Sequence, residues 1–278
     1  MLHLGLSLLP WLAVPTLPLQ ESAPQAPALP QGWSLAAPVQ ANEFTWSSQD
    51  AVALAHDQAG GFVLVWQSRR QQAGNYGIYA RRFDAAGRAL TGEVEVNAHT
   101  DGPQTRPTVA FDGAGRLWFA WESLGQDGDG GAVVARRFDG QLETSTPEVI
   151  VHELAAGDQR EPALACAADG TALVAWTTPG AAAGSRRVHA RLLGADGAPL
   201  GASFEVGGVA RAYLPAIAVH AGGGYTVAWS DHGDDGLPRS IRARDVQADG
   251  TLADAEAALF EVADRQPVEP VLCADPDD

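Results

Sequence analysis

A short acidic loop carries the pattern in this sequence that is most similar to a metal site. Residues 125–131 read Gly-Gln-Asp-Gly-Asp-Gly-Gly, with carboxylates at Asp127 and Asp129. Calcium is held by several oxygen ligands that converge from one tight turn. However, Gly131 occupies the third acidic position of such a loop, and no Glu follows at the required distance. Two interpretations stay open: a weak calcium site at Asp127 and Asp129, and a solvated Gly/Asp turn, which is the default. No other cofactor is predicted.

Other motifs that could carry chemistry are incomplete. His152-Glu153 begins like the zinc helix motif, but Ala156 stands where the second His is required. No Ser lies in a G-x-S-x-G nucleophile elbow. Cys166 and Cys273 fall in first strands of different repeats, and a disulfide needs Cα atoms within about 7 Å. We therefore predict two buried, unpaired thiols, and no catalytic residue is predicted from a motif.

The elements that position these residues form a tandem repeat. Four tryptophans are spaced by 55, 55 and 53 residues, and each is followed at a fixed distance by an Ala-Arg pair. The tryptophans are Trp66, Trp121, Trp176 and Trp229, and the arginines are Arg81, Arg136, Arg191 and Arg244. A period of this length is typical of propellers, solenoids and arrays. A residue repeated in every copy is more often structural than functional, so we interpret these arginines as pairing with a neighbouring strand or turn.

Each repeat contains four strand-like runs. The second run is apolar on both faces, as in residues 62–66, and the fourth alternates, as in residues 94–96. Four antiparallel strands with a doubly covered inner strand predict an all-β fold, a β-propeller of four-stranded antiparallel blades. The tryptophan would fill the gap between adjacent blades. An array of small β-sandwiches is the alternative, but those need roughly 100 residues each.

The repeats set the predicted domain boundaries. Residues 1–22 are apolar and interrupted by prolines, which fits a cleaved secretion signal although its first residues include no Arg or Lys. Residues 23–36 are a Pro/Ala-rich linker, and residues 37–278 hold the propeller. The predicted blades cover residues 49–103, 104–158, 159–211 and 212–265, with a partial fifth repeat at 266–278. This arrangement predicts a fragment of a larger propeller, on a secreted or cell-surface protein without an integral membrane segment.

The repeat resembles those of uncharacterised bacterial exported β-propeller proteins. Those repeats have the form G-x-[FY]-x-V-x-W-x-S, then an Asp/Gly loop and an Ala-Arg-Phe-Asp strand, and residues 60–97 are similar to this pattern nearly throughout. The third and fourth copies have lost the Phe and Asp that follow Arg191 and Arg244. The resemblance implies a propeller on exported, often surface-associated proteins. It implies no known activity.

Charge and loop variability indicate where a ligand would bind. The formal net charge is −16, so phosphate backbones are repelled and nucleic acid is not a predicted partner. The loops that differ between copies share one end of the blades, and variable loops on a rigid frame commonly bind ligands. The candidate binding residues there are Asp127, Asp129, Asp231, Asp234, Asp235, Arg106, Arg160 and Arg211. We therefore predict a non-catalytic module that binds a glycan or protein; the alternative is a glycosidase-like hydrolase whose acids lie on this loop face.

Overall fold

A computed structural model describes residues 38–72, 75–208, 211–253, 255–261 and 269–272. Every regular element in these ranges is a β-strand. The contacts divide the chain into two units, Met1–Pro38 and Val39–Asp278. The predicted signal peptide (1–22) and linker (23–36) lie outside the described residues. No helix in the described ranges has the length and apolar character needed to cross a membrane.

Each repeat folds as an antiparallel meander of four strands, which we call a blade. The first blade comprises β1 (Gln49–His56), β2 (Phe62–Gln72), β3 (Asn75–Phe83) and β4 (Val94–Glu95). The second comprises β5 (Gln104–Phe111), β6 (Leu117–Leu124), β7 (Gly131–Phe138) and β8 (Val149–Ile150). The third comprises β9 (Arg160–Cys166), β10 (Ala172–Pro179), β11 (Arg186–Leu193) and β12 (Phe204–Gly207). The fourth comprises β13 (Arg211–Val219), β14 (Tyr225–His232), β15 (Pro238–Val246) and β16 (Ala257–Glu261).

The predicted all-β class and the four-stranded antiparallel blades are confirmed. The first strands of successive blades contact one another, β1 with β5, β5 with β9 and β9 with β13. The third and fourth blades are also joined by one parallel pair, Arg186 with Arg211, so their strands form one continuous sheet. The innermost strands of the four blades therefore run side by side.

The repeated tryptophans take the predicted position. All four lie on second strands and are buried. Trp121 packs with Val63 and Ile78 of the first blade, and Trp229 packs with Leu173 and Val188 of the third. Each of these indoles therefore fills the gap to the preceding blade, where its large apolar area stabilises the contact between two sheets.

The repeated arginines tie neighbouring blades together, as the repeat pattern predicts. In each copy the Nη1 group donates to a carbonyl oxygen of the preceding outer segment. The pairs are Arg81 with Ala41, Arg136 with Val96, Arg191 with Val151 and Arg244 with Val206. Since the acceptor recurs at the same place, these side chains are part of the blade architecture.

Two details concern the ends of the strands. Cys166 is buried and unpaired, and burial raises the pKa of its thiol; Cys273 lies outside the described residues.

The sequence matches Phe260-Glu261-Val262 to the outer strand Val94-Glu95-Val96. The structure instead pairs Ala243 with Ala257, as it pairs Ala80 with Val94, and shifts the register between Ile241 and Arg242. A bulge in β16 therefore displaces the alternating residues from the expected register.

Candidate active site

The first strand of each blade contains one residue in the left-handed backbone region. These residues are Ala51 (φ 50°), Arg106 (φ 52°), Glu161 (φ 58°) and Leu214 (φ 53°). In each blade the pairing of the first strand with the second shifts at this point. For a residue other than glycine, this conformation costs about 1–2 kcal/mol of conformational free energy. Backbone strain repeated at one place in every blade marks that place as a candidate site.

The strained positions meet around one cavity of about 320 Å³. We call this cavity the axial mouth. It is lined by Ala51, Val52, Arg106, Pro107, Glu161, Pro162, Leu214, Pro215, Glu269, Pro270 and Val271. Glu269-Pro270 repeats the Glu161-Pro162 pattern, so a fifth segment occupies the position that first strands occupy in the four blades. The charged lining residues are Arg106, Glu161 and Glu269, and each comes from a different segment.

Arg106 lies between two carboxylates. Its Nε is 3.7 Å from Glu122 Oε1, and its Nη1 is 3.8 Å from Glu161 Oε1. The Arg106 side chain is 56% exposed, whereas Glu122 and Glu161 are 15% and 14% exposed. Since the cation is open to solvent, each pair contributes less than about 1 kcal/mol to stability. The guanidinium is thus available to a ligand, whereas Glu122 is shielded and Glu161 reaches the mouth with only a small part of its side chain exposed.

The two glutamates are held by neighbouring blades. Glu122 Oε1 accepts the backbone N–H of Glu161 at 2.7 Å. Glu161 Oε2 accepts the N–H of Leu214 at 2.9 Å and the hydroxyl of Thr177 at 3.2 Å. Burial raises the pKa of Glu122, and the hydrogen bond from Glu161 and the charge of Arg106 oppose that shift. The Glu161 carboxylate is therefore fixed at the edge of the mouth by donors from two other strands.

The network continues into the first blade through Gln67. Gln67 Oε1 accepts the N–H of Arg106 at 2.9 Å, and Gln67 Nε2 donates to Asp50 Oδ1. Gln67 and Glu122 both directly follow a repeated tryptophan. The same strand position therefore supports the strained backbone of the next blade in both cases.

Asp127 and Asp129 face other groups of the protein, although Asp127 Oδ2 and His152 Nε2 are both buried without a hydrogen-bond partner in the described part of the chain. The Asp127 side chain is buried, with Oδ2 3.7 Å from His152 Nε2, and its Oδ1 accepts the N–H of Asp129 at 3.2 Å. Asp129 Oδ2 accepts the N–H of Gly157 at 3.0 Å. These contacts tie the second blade to the join that leads into the third. No group of three His, Cys, Asp or Glu side chains in the described ranges is placed to hold a metal ion.

The other predicted binding residues are spread over separate blades. Asp235 pairs with Arg239 at 2.8 Å, and Asp234 is exposed next to it. Asp231 lies on β14 rather than in a loop, and burial raises its pKa. Arg160 pairs with Asp158 at 2.6 Å, and Arg211 begins β13. Of the eight predicted residues, only Arg106 lines the axial mouth.

Sequence reasoning missed Glu122, Glu161 and Glu269. Two signals could have found them. Glu161 and Glu269 directly precede the repeated proline, and Glu122 directly follows a repeated tryptophan. Both positions vary between copies while their neighbours repeat, which is the pattern expected where a conserved frame presents variable side chains.

No family model matches this chain, and no curated protein matches it. Solved structures share its fold. It is similar to the GH93 α-L-arabinofuranosidase of Fusarium graminearum with arabinobiose, at 11% identity and a TM-score of 0.57, over 76% of this chain and 66% of that one. It is also similar to an α-L-arabinanase of Penicillium chrysogenum complexed with arabinobiose, at 13% identity and a TM-score of 0.56, over 79% of this chain and 69% of that one. The chain thus spans just under two thirds of the Fusarium enzyme.

The prediction of a non-catalytic binding module was wrong. The solved structures that share the fold are named as enzymes that act on arabinose-containing glycans. At these identities the likeness shows the fold alone.

Proposed function

We propose that this protein is a glycoside hydrolase whose active centre is the axial mouth. The observation that carries the proposal is that Glu161, Glu269 and Arg106 reach one open cavity from three different segments. Glycosidases use two carboxyl groups that flank the scissile bond. The arabinose-cleaving enzymes of the same fold make arabinofuranosides the first substrates to test.

The arrangement suggests a role for each acid. Two hydrogen bonds hold the Glu161 carboxylate, from the Leu214 N–H and the Thr177 hydroxyl, and the Arg106 guanidinium lies 3.8 Å away. A fixed carboxylate suits the base or nucleophile that acts at the anomeric carbon. Glu269 is exposed on the fifth segment and suits the acid that protonates the leaving oxygen. As the glycosidic C–O bond breaks, the departing alcohol takes that proton. Water forms the new C–O bond of the hemiacetal and gives its other proton to a carboxylate: Glu161 if Glu161 is the base, or the ionised Glu269 if Glu161 is the nucleophile.

The test is hydrolysis of a panel of chromogenic glycosides that includes α-L-arabinofuranosides. We expect Glu161→Gln and Glu269→Gln each to lower kcat/KM by about 10²–10⁴-fold, the usual contribution of one acid–base group. Asp234→Asn is the matched control, since it removes an exposed carboxylate that is not part of the mouth. Turnover that survives both Gln variants, or that disappears in Asp234→Asn, would contradict the assignment.

We also propose that the blades close around the mouth as a propeller with a fifth blade. Residues 269–272 take the place of its first strand, and Leu272 packs against Ala228, Ile241 and Ala243 of the fourth blade. At the other end Arg81 donates to Ala41 just as the later arginines donate to preceding outer strands. Leu272→Asp should therefore lower the midpoint of thermal unfolding of residues 39–278, and an unchanged midpoint would count against a fifth blade.

Export is part of the proposal. It is supported by the apolar, proline-interrupted residues 2–19 and by the small residues near Ser22. Expression of the full chain in a bacterial host, followed by N-terminal sequencing of the extracellular protein, tests it. Cleavage near residue 22 is expected, and an intact N-terminus in the cytoplasm would contradict it.

A further inference from the structure

A second pocket of about 340 Å³ is formed by the segment that leads into β1 together with the end of β2. Its walls are Phe44, Trp46, Ser47 and Arg70, and we call it the Trp46 pocket. Trp46 is 79% exposed. A single exposed aromatic side chain is common on a protein surface, so a binding role has to be inferred from the residues that surround Trp46.

Two of the four walls adopt a backbone conformation that side chains disfavour. Ser47 and Arg70 both have φ 67°. At the positions that correspond to Ser47, the next two repeats have Gly102 (φ 81°) and Gly157 (φ 78°). At the position that corresponds to Arg70, the second repeat has Gly125 (φ 81°).

Glycine adopts this conformation without steric cost, so the repeat itself needs no side chain at either position. The first repeat nevertheless carries a serine and an arginine there, and both line the same pocket. Strain that the fold does not require, at residues that share one cavity, indicates a binding role for that cavity.

The pocket is also held rigidly. Glu93 Oε1 accepts the N–H of Phe44 at 3.1 Å, and Gln49 Nε2 donates to the carbonyl of Trp46 at 2.9 Å. The backbone of Phe44 and that of Trp46 are therefore both tethered to the first blade. A surface that is ordered before it binds loses less entropy on binding.

The pocket lies close to the axial mouth. Trp46 precedes Ala51, a lining residue of the mouth, by five residues. Five residues span at most about 18 Å of extended chain. A polymer that occupies the mouth can therefore reach the Trp46 pocket with its next units.

We propose that the Trp46 pocket binds a sugar ring of a neutral glycan chain that extends from the axial mouth. This inference rests on the proposed function and deepens it, because it makes a polymer the preferred substrate. The indole of Trp46 offers a flat apolar face to the C–H face of a sugar ring. The exposed Arg70 guanidinium makes no ion pair within the described ranges and offers several N–H donors to ring hydroxyls. The net charge of −16 disfavours an acidic polymer.

The experiment separates the pocket from the catalysis. Affinity electrophoresis through gels containing linear arabinan, and separately polygalacturonate, is run with Glu161→Gln, Glu161→Gln/Trp46→Ala and Glu161→Gln/Leu200→Ala. Leu200 is a matched control because it is 59% exposed and lies between β11 and β12 of the third blade. We expect Trp46→Ala to weaken arabinan binding by about tenfold, as truncation of an aromatic anchor does, and Leu200→Ala to leave it unchanged. Polygalacturonate should bind no better than arabinan.

The kinetic arm uses the same variants without the Glu161 change. Trp46→Ala should raise KM for arabinan by about tenfold and leave kcat/KM for a small chromogenic arabinofuranoside within about twofold. If the wild type binds arabinan through Trp46 but hydrolyses nothing, the pocket stands and the proposed function fails. If turnover depends on Glu161 but Trp46→Ala changes neither arm, the pocket proposal fails alone. Absence of arabinan binding by Glu161→Gln, or stronger binding of polygalacturonate, also overturns it.

Discussion

Arg136 in the second blade donates from Nη1 to the carbonyl oxygen of Val96, 2.7 Å away at the end of the first blade. Its Nε donates to Thr146 O at 2.9 Å within its own blade. One guanidinium therefore satisfies two backbone carbonyls on opposite sides of a blade interface.

Replacing Arg136 with Met tests this connection. The variant leaves two partly buried carbonyls without their donor, so we expect the free energy of unfolding to fall by about 2–3 kcal/mol. Arg88→Met is the control, because Arg88 pairs with Asp84 on an exposed turn and should change stability by less than about 0.5 kcal/mol. Urea denaturation of both variants measures the difference. Equal losses would show that the interface does not depend on the arginine.

Gln104 offers a second test of how the blades are built. It is fully buried, and its Oε1 accepts the indole N–H of Trp121 at 2.9 Å. Gln104→Ala leaves the indole N–H without an acceptor and opens a cavity. We therefore expect a loss of about 2–3 kcal/mol in unfolding free energy. Gln159 holds the same repeat position, but its Oε1 has no partner in the described part of the chain. Gln159→Ala should therefore cost less, and the reverse order in thermal unfolding would contradict this reading.

The frame could be predicted because it repeats. Four copies of Trp and Arg at fixed spacing leave few structures in which every copy is satisfied, and the blades follow from that. The axial acids could not be found in the same way. Glu161 and Glu269 are more than a hundred residues apart in the sequence, and only the folded arrangement of their segments brings them to one cavity.

Asp127 and Asp129 were found from the sequence, but their surroundings were not. Asp127 and Asp129 have the spacing of a calcium loop, but spacing does not reveal what lies across the blade interface. Asp129 accepts the Gly157 N–H, whereas Asp127 Oδ2 faces His152 Nε2 at 3.7 Å without a hydrogen bond. Short-range patterns therefore located polar side chains correctly and could not predict their partners.

His152 makes stability depend on pH. Burial lowers the pKa of its imidazole below 6.5, although its hydrogen bond to Leu154 O and the charge of Asp127 act in the other direction. The folded state therefore binds this proton less readily than the unfolded chain. Its contribution to stability is present above pH 6.5 and is lost as the pH falls through the lower folded pKa. The unfolding free energy should thus decline from pH 7 to pH 5.

The repeat supplies the variant that checks this. Asn42 and Asn97 hold the same position as His152, and their side-chain amides bond the carbonyl two residues on, as His152 does. His152→Asn should keep that bond and reduce the decline between pH 7 and pH 5. Part of the decline should remain in this variant, because burial also lowers the pKa of His189. The exposed His56→Asn is the control, and denaturation profiles that change equally in both variants would be evidence against the assignment.

Glu122 should show the opposite dependence. Burial raises its pKa above 4.5, so the folded state binds this proton more readily than the unfolded chain. The corresponding stability is complete below pH 4.5 and is lost as the pH rises through the folded pKa. Glu122→Gln can still accept the Glu161 N–H but does not ionise. Its unfolding free energy relative to wild type should therefore be higher at pH 7 than at pH 4, whereas the exposed Glu143→Gln should show no such trend.

The last prediction concerns the strained walls of the Trp46 pocket. Ser47→Gly and Arg70→Gly each place glycine where the backbone is left-handed, so each should raise the unfolding free energy by about 1 kcal/mol. Arg70→Gly should at the same time weaken binding of arabinan, because it removes the pocket's donors. Thermal unfolding and affinity electrophoresis on the same samples measure both effects.

The glycines one repeat period after Ser47 and Arg70 provide the matched controls. A Cβ at Gly125, which corresponds to Arg70, would meet nothing within 4 Å, so Gly125→Ala should cost only the backbone strain, about 1–2 kcal/mol. A Cβ at Gly102, which corresponds to Ser47, would lie 2.3 Å from Leu124 O, so Gly102→Ser should destabilise far more. The backbone therefore leaves room for a side chain at Ser47 but not at Gly102, the corresponding position one period later. If Arg70→Gly lowers stability, or raises it without weakening the glycan contact, Arg70 is not held in strain for binding.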